Sequence, residues 1–204
     1  YHAWSSEIIY FLNQQRSLLA LQKAEKMKKQ AFADRYPYGI FSCIRTMGHI
    51  YKSRGNFDLS AQYYQEALDY MLKNMPDQDP SQLYSSLAEY YRNTQKDYAT
   101  ALDYCEKALK SAKTERNIAQ AMIEKCLVLF RQGRIDEFND CYKEAVQMAD
   151  RCKLSASVSL LIAHISKNIL DKQYEQAHAH ADQLSEEGLQ QHAYIYECAK
   201  DLSL

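Results

Sequence analysis

Four segments of the chain can be laid over one another. They are MGHIYKSRGNFDLSAQYYQEAL from Met47, LAEYYRNTQKDYATALDYCEKAL from Leu87, KCLVLFRQGRIDEFNDCYKEAV from Lys125 and HISKNILDKQYEQAHAHADQL from His164. Each reads as an apolar helix, a short polar turn, an aromatic or aliphatic residue, then a second helix. The residues after the turns are Phe57, Tyr98, Ile135 and Tyr174, spaced by 41, 37 and 39 positions. A fixed period of roughly 20–50 residues marks a solenoid, in which each unit buries its apolar face only against its neighbours. With 5 Gly and 3 Pro in 204 residues, the chain has too few turn formers for an all-β alternative.

Two glycines fall inside this pattern. Glycine within a helix costs about 1 kcal/mol relative to alanine, so each needs a reason. Gly48 sits where two helices of one unit approach, and Ala88 and Cys126 take the same slot further along. Gly55 falls where the first helix ends, a place that favours positive φ. Neither belongs to a phosphate-binding loop, since no G-x-G-x-x-G, G-x-x-x-x-G-K-S/T or H-E-x-x-H pattern occurs.

These residues resemble the tetratricopeptide repeat, a helix–turn–helix unit. The positions that carry the likeness are Gly48, Tyr51, Gly55, Phe57, Tyr64 and Ala67. They continue in Leu87, Ala88, Tyr91, Tyr98, Ala101, Cys105 and Ala108, and in Cys126, Leu129, Gly133, Phe138, Tyr142 and Ala145. A looser copy uses Ile165, Asn168, Ala177, Ala181 and Leu184, and an earlier unit Trp4, Ile8, Phe11, Ala20, Ala24 and Met27. The resemblance implies an all-α, right-handed superhelix of about five helix hairpins plus a partial sixth. Its units fall at 1–35, 36–76, 79–113, 114–152 and 153–187, with 188–204, including HAYIYECAKDLSL, as the first helix of a further unit. The chain departs from the family in three ways. Its period exceeds the usual ~34 residues, an extra residue lies between Asn93 and Asp97, and Phe138 takes a slot usually held by alanine. In the linkers, YPYG and NMPDQDPSQ read as helix starts, with Asp79 as a cap, Pro80 in the first turn and Gln82 completing a capping box.

Chemistry is sparse. In AHAHAD, His178 and His180 lie two apart and point to different helix faces, while His178 and Asp182 share one. A metal would need ligands from elsewhere, so no metal or cofactor is expected. The six cysteines form no C-x-x-C pair and read as buried thiols behaving as small hydrophobes. They lean toward a reducing compartment. No catalytic residue stands out, and an enzyme is not expected. Net charge is −1 and pI about 6.7, which argues against nucleic acid despite the cluster Lys23, Lys26, Lys28 and Lys29. No run is apolar enough to span a membrane. The 17 tyrosines require sites with an apolar body and a polar tip.

In the family the first helix of each unit lines a concave face that binds a protein or peptide. Carried over here, the candidate contacts are Arg45, His49, Lys52, Glu89, Arg92, Ile123, Leu127 and Phe130, running from polar and basic to apolar. That order fits a partner with an acidic group and apolar anchors, or it reflects core packing that closes the apolar end. A structural or self-associating homodimeric array is the alternative. A clamp for a C-terminal carboxylate, as in tetratricopeptide co-chaperones, would map onto Arg45, His49, Ser86, Gln120 and Glu124, and Glu124 would repel the ligand. Long, tyrosine-rich arrays are also similar to sensing regions of bacterial membrane-anchored regulators, which implies a place outside the cytoplasm. Tyr1 and the incomplete last unit suggest a piece of a longer protein.

Overall fold

The computed structural model describes residues 1–14, 16–154 and 157–184. Among them are ten α-helices and no strand: α1 (His2–Asn13), α2 (Ser17–Ala33), α3 (Pro37–Ser53), α4 (Phe57–Asn74), α5 (Ser81–Tyr90), α6 (Tyr98–Ser111), α7 (Glu115–Arg131), α8 (Ile135–Arg151), α9 (Val158–Leu170) and α10 (Tyr174–Ala181). Each helix packs on the next, and α1 packs on α3, α5 on α7 and α7 on α9. This is the all-α hairpin stack that the period predicts. The expected helix at 188–204 lies outside the described residues.

The small slot holds the first complete pair together. A Cβ placed on Gly48 would lie 2.5 Å from Cε1 and 2.7 Å from Cδ1 of Tyr64. The Tyr64 ring is buried between α3 and α4, and Ser60 Oγ donates to the Gly48 carbonyl at 2.9 Å. Ala88 and Cys126 are fully enclosed at their own crossings. Gly55 and Gly133 close α3 and α7 with φ of +73° and +71°. Lys96 and Lys172 take the same left-handed conformation at the other two turns, with φ of 55° and 59°. Those turns carry no glycine signature in the sequence.

The extra residue between Asn93 and Asp97 is absorbed by geometry. After α5 the helix widens into a π-helical turn, Tyr91–Gln95, and the Asp97 N–H reaches back to the Tyr91 carbonyl at 3.0 Å. Single π-turns are how helices accommodate an insertion, and they mark functional sites often. The Asp79 linker also differs from the expected capping box. Pro80, not Asp79, is the residue flanking α5, and Gln82 reaches Asn117 instead of turning back. Asp79 accepts from the N–H of Ser81 at 2.8 Å, the N–H of Lys113 at 2.7 Å and Asn117 Nδ2 at 2.8 Å. One carboxylate thus ties two successive linkers, and those donors hold it below the ordinary aspartate pKa despite the cost of burial.

The core has two large parts. One spans α1 to α5, with Ile44, Met47, Ile50 and Leu68; the other spans α7 to α10, with Leu127, Phe138, Leu160 and Ile162. A small cluster of Ala88, Ala101, Cys105 and Val128 joins them. Tyrosines line the hairpin seams as their chemistry requires. Tyr51 stacks on Tyr63 at 5.3 Å and Tyr91 on Tyr104 at 5.4 Å, while Tyr90 Oη donates to Asp58 at 2.7 Å.

Gly48→Ala should destabilise the array by about 1–3 kcal/mol, the usual cost of overpacking, and Gly48→Leu by at least as much. Adding Tyr64→Leu should recover part of the loss. Urea denaturation of the three variants checks this, and an unchanged midpoint for Gly48→Ala would remove the close-approach assignment.

Candidate functional site

Along the concave face the first helices are not evenly spaced. Helices α5, α7 and α9 pack against each other, whereas α3 and α5 meet far less closely. Where the helices touch, the face closes. Ile123 and Leu127 are each 1% exposed and Ile162 is fully buried, so these side chains are core. Phe130 is partly buried and lies against Phe138, with ring centroids 5.6 Å apart. The expected apolar half of the groove therefore offers little surface. Leu127 is closed off because α7 packs on both α5 and α9, whereas Ile123, though almost wholly buried, still borders the cleft described below.

Arg92 is corrected for a related reason. It is 1% exposed and faces Glu124, itself 5% exposed, across the α5–α7 seam. Arg92 Nε donates to Glu124 Oε1 at 2.7 Å and Nη2 to Oε2 at 3.3 Å, while Nη1 donates to Asn93 at 2.7 Å. The π-turn carries Arg92 and sets where this fork points. Burial alone would drive Glu124 toward its neutral acid and pushes its pKa up; the Arg92 charge and hydrogen bonds oppose this. Arg92 stays charged because Glu124 outweighs its own desolvation.

One hairpin earlier, Lys52 Nζ donates to both carboxylate oxygens of Glu89, at 2.8 and 2.7 Å. Burial works against the Lys52 charge, and Glu89 more than restores it, so its pKa rises. Lys52, Glu89, Arg92 and Glu124 thus alternate in sign across three successive first helices. This ladder neutralises most of the groove charge that the sequence suggested.

Where α3 and α5 stand apart, a cleft of about 270 Å³ opens. Arg45, His49, Ser85, Ser86, Gln120 and Ser159 are among its lining residues. Arg45 packs its guanidinium over the Phe41 ring at 5.3 Å. Its Nε–H is enclosed and meets no acceptor. A buried donor without a partner costs about 1–3 kcal/mol, and the partly exposed remainder of the side chain borders the cleft. His49 is exposed and lines the cleft. Its Nδ1 is 2.9 Å from Tyr64 Oη. Crowding by the cleft walls lowers the His49 pKa, and the charges of Arg45 and Lys52 lower it further. The ring is therefore neutral at pH 7 and carries one N–H donor, on Nε2 in the tautomer whose Nδ1 accepts from Tyr64. A second cleft of about 270 Å³ lies on the other side of Tyr64, bordered by Phe57, Ala61, Tyr90 and Asn93.

Three other described histidines, His164, His178 and His180, lie apart from the cleft. His178 pairs with Asp182 at 3.0 Å, as their spacing implies, while His180 turns away and stacks on His164 at 5.1 Å. His164 Nδ1 meets Tyr142 Oη at 2.6 Å, and Asn168 Nδ2 meets His180 Nδ1 at 3.1 Å. Among the described residues no cluster of three or more His, Cys, Asp or Glu is placed to hold a metal. The sequence showed no sign of this chain, because it joins α8, α9 and α10 through residues 12 to 22 apart.

The comparisons with known proteins agree with this geometry. Residues 41–114 match the family model described as Tetratricopeptide repeat. No curated protein sequence matches the chain. Among solved structures it is similar to the crystal structure of BtubC (BKLC) from P. vanneervenii, with a TM-score of 0.60 and 17% identity over 93% of this chain and 85% of that one. At that identity the likeness concerns the fold.

Burial lowers the pKa of His164, and the His180 beside it acts in the same direction. For His49 and His164 the folded pKa lies below the unfolded one of about 6.5, so the unfolded chain binds more protons in between. Stability is fully present above pH ~6.5 and falls as the solution is acidified below that value, with the share of His49, which is exposed, reduced by solvent screening. Thermal melts between pH 8 and 5 should show this loss, and the double variant His49→Gln, His164→Gln should show a flatter profile.

Proposed function

We propose that the cleft between α3 and α5 receives an acidic segment of a partner protein, a reading supported by the match of residues 41–114 to a repeat family that generally mediates protein–protein interaction. The observation that carries this reading is the Arg45 side chain on the wall of the cleft, a positive charge that meets the Phe41 ring and no carboxylate among the described residues. A charged donor to a carboxylate forms a strong and directional bond, and the guanidinium is already oriented by the Phe41 ring. His49 adds a second donor. Ser85, Ser86 and Gln120 along the walls suit the backbone amides of an extended peptide. Glu89 and Glu124 also line the cleft, but each is paired, with Lys52 and Arg92 respectively, so recognition concentrates on Arg45. The array acts as a non-catalytic scaffold in this account, and its partner is a protein or peptide.

The context we propose is the interaction region of a bacterial signal-transduction regulator, supported by the long repeat period and the tyrosine content. Among the described residues no helix is long and apolar enough to cross a membrane. A membrane span with a kinase or DNA-binding module elsewhere in the gene would support that context, and its absence from the full gene would end it.

A peptide library with one fixed glutamate or a free C-terminal carboxylate, displayed against randomised neighbours, tests the cleft. Acidic peptides should be enriched over neutral and basic ones, and Arg45→Ala should weaken their binding about tenfold or more, the scale of one charged hydrogen bond. Selection of neutral or basic peptides, or binding unchanged by Arg45→Ala in a folded protein, would defeat the reading.

A further inference from the structure

Cys126 and Cys141 face one another across the α7–α8 hairpin with their sulfurs 2.9 Å apart. The reason lies in the repeat. Cys126 occupies the small slot, the position where the two helices of a unit come closest, held by Gly48 and Ala88 in other hairpins. Only at that crossing can side chains as short as cysteine meet from opposite helices. We infer that Cys126 and Cys141 form an oxidisable dithiol site, converted to an intramolecular disulfide by small-molecule disulfides.

The two thiols are not equivalent. Cys126 is fully buried, whereas Cys141 is partly exposed. The Cys126 S–H points at the Cys141 sulfur, and Cys141 lies 3.5 Å from the Met122 carbonyl. That bond from Cys126 lowers the Cys141 pKa; burial opposes the shift, and the Lys125 charge adds to it. Cys141 is therefore the attacking group, since the thiolate is the nucleophile. Its proton leaves to solvent, and its sulfur attacks one sulfur of R–S–S–R, releasing the first thiolate. A mixed disulfide on Cys141 results. Cys126 then loses its proton and attacks the Cys141 sulfur, expelling the second thiolate. The protein loses two hydrogens and the small disulfide is reduced to two thiols. Cys126 never has to reach solvent, because its target is already adjacent. Closing to a bond of about 2.05 Å requires a shift of about 0.9 Å between the sulfurs. The other described cysteines, Cys43, Cys105 and Cys152, make no thiol–thiol contact.

The product fixes α7 to α8. Helix α7 also carries Gln120 of the cleft and Glu124 of the ladder, so oxidation would brace one wall of the groove.

Oxidised glutathione is the probe. The folded chain is incubated with it, quenched with acid, alkylated under denaturing conditions and digested for mass spectrometry. Wild type should lose two alkylatable thiols and yield a peptide linked between Cys126 and Cys141, with a melting temperature several degrees higher than the reduced chain. Cys126→Ala, which places alanine in the slot as Ala88 does, should retain glutathione on Cys141. Cys141→Ser should leave Cys126 unmodified. A glutathione adduct persisting on wild-type Cys141, a link to a different cysteine, or no reaction in the folded protein would each overturn the inference.

Discussion

The buried fork between Arg92 and Glu124 is the contact on which the rest of the array depends. It crosses the seam between two large apolar cores, where a small cluster of Ala88, Ala101, Cys105 and Val128, flanked by Tyr91, Tyr98, Leu102 and Tyr104, bridges the gap. Removing two charges from water costs several kcal/mol each, and attraction offsets that only with good geometry. Here the geometry is a short two-point contact with Nη1 satisfied separately by Asn93. The pair therefore contributes position more than net stability. It fixes which turn of α5 faces which turn of α7, something that interchangeable alanines cannot do. The π-turn at Tyr91–Gln95 belongs to the same device, because it rotates Arg92 to its partner.

That constraint decides the shape of the concave face. With α7 drawn against α5 on one side and α9 on the other, Ile123, Leu127 and Ile162 become core. The opening moves to the α3–α5 gap, where Tyr64 fills the space and Lys52–Glu89 is the bridge. Charges that would otherwise attract diverse partners are paired along the ladder. Arg45 keeps a charge with no carboxylate partner among the described residues, and a neutral histidine lines the same cleft. On the proposed reading, a site with one unpaired cation and several hydroxyls favours an oxygen-rich acidic segment over an apolar anchor.

The architecture was legible in the sequence because repetition multiplies weak signals. One Gly48 says little, but Gly48, Ala88 and Cys126 at matching positions define a helix crossing, and Gly55 and Gly133 define a turn. The site was legible only in part. Helical spacing puts Arg45, His49, Arg92 and Leu127 on the same kind of face, yet exposure depends on how closely neighbouring units pack. No periodicity within one helix encodes that distance. Lys96 and Lys172 at left-handed turns, and the chain through Tyr142, His164 and His180, escaped for the same reason. Their residue types are ordinary, and only tertiary contact gives them a role. The Cys126–Cys141 contact carried a signal that could have been used, since Cys126 had already been placed at the closest crossing.

A double-mutant cycle on Arg92→Met and Glu124→Leu, measured by equilibrium urea denaturation, tests the central claim. Each single variant leaves one buried charge without its partner and should cost about 3–5 kcal/mol. The double variant replaces the pair with apolar groups and should be more stable than either single one, giving a coupling energy of several kcal/mol. Costs that simply add would mean that the two side chains do not depend on each other, and the seam between the two cores would then be held by something else.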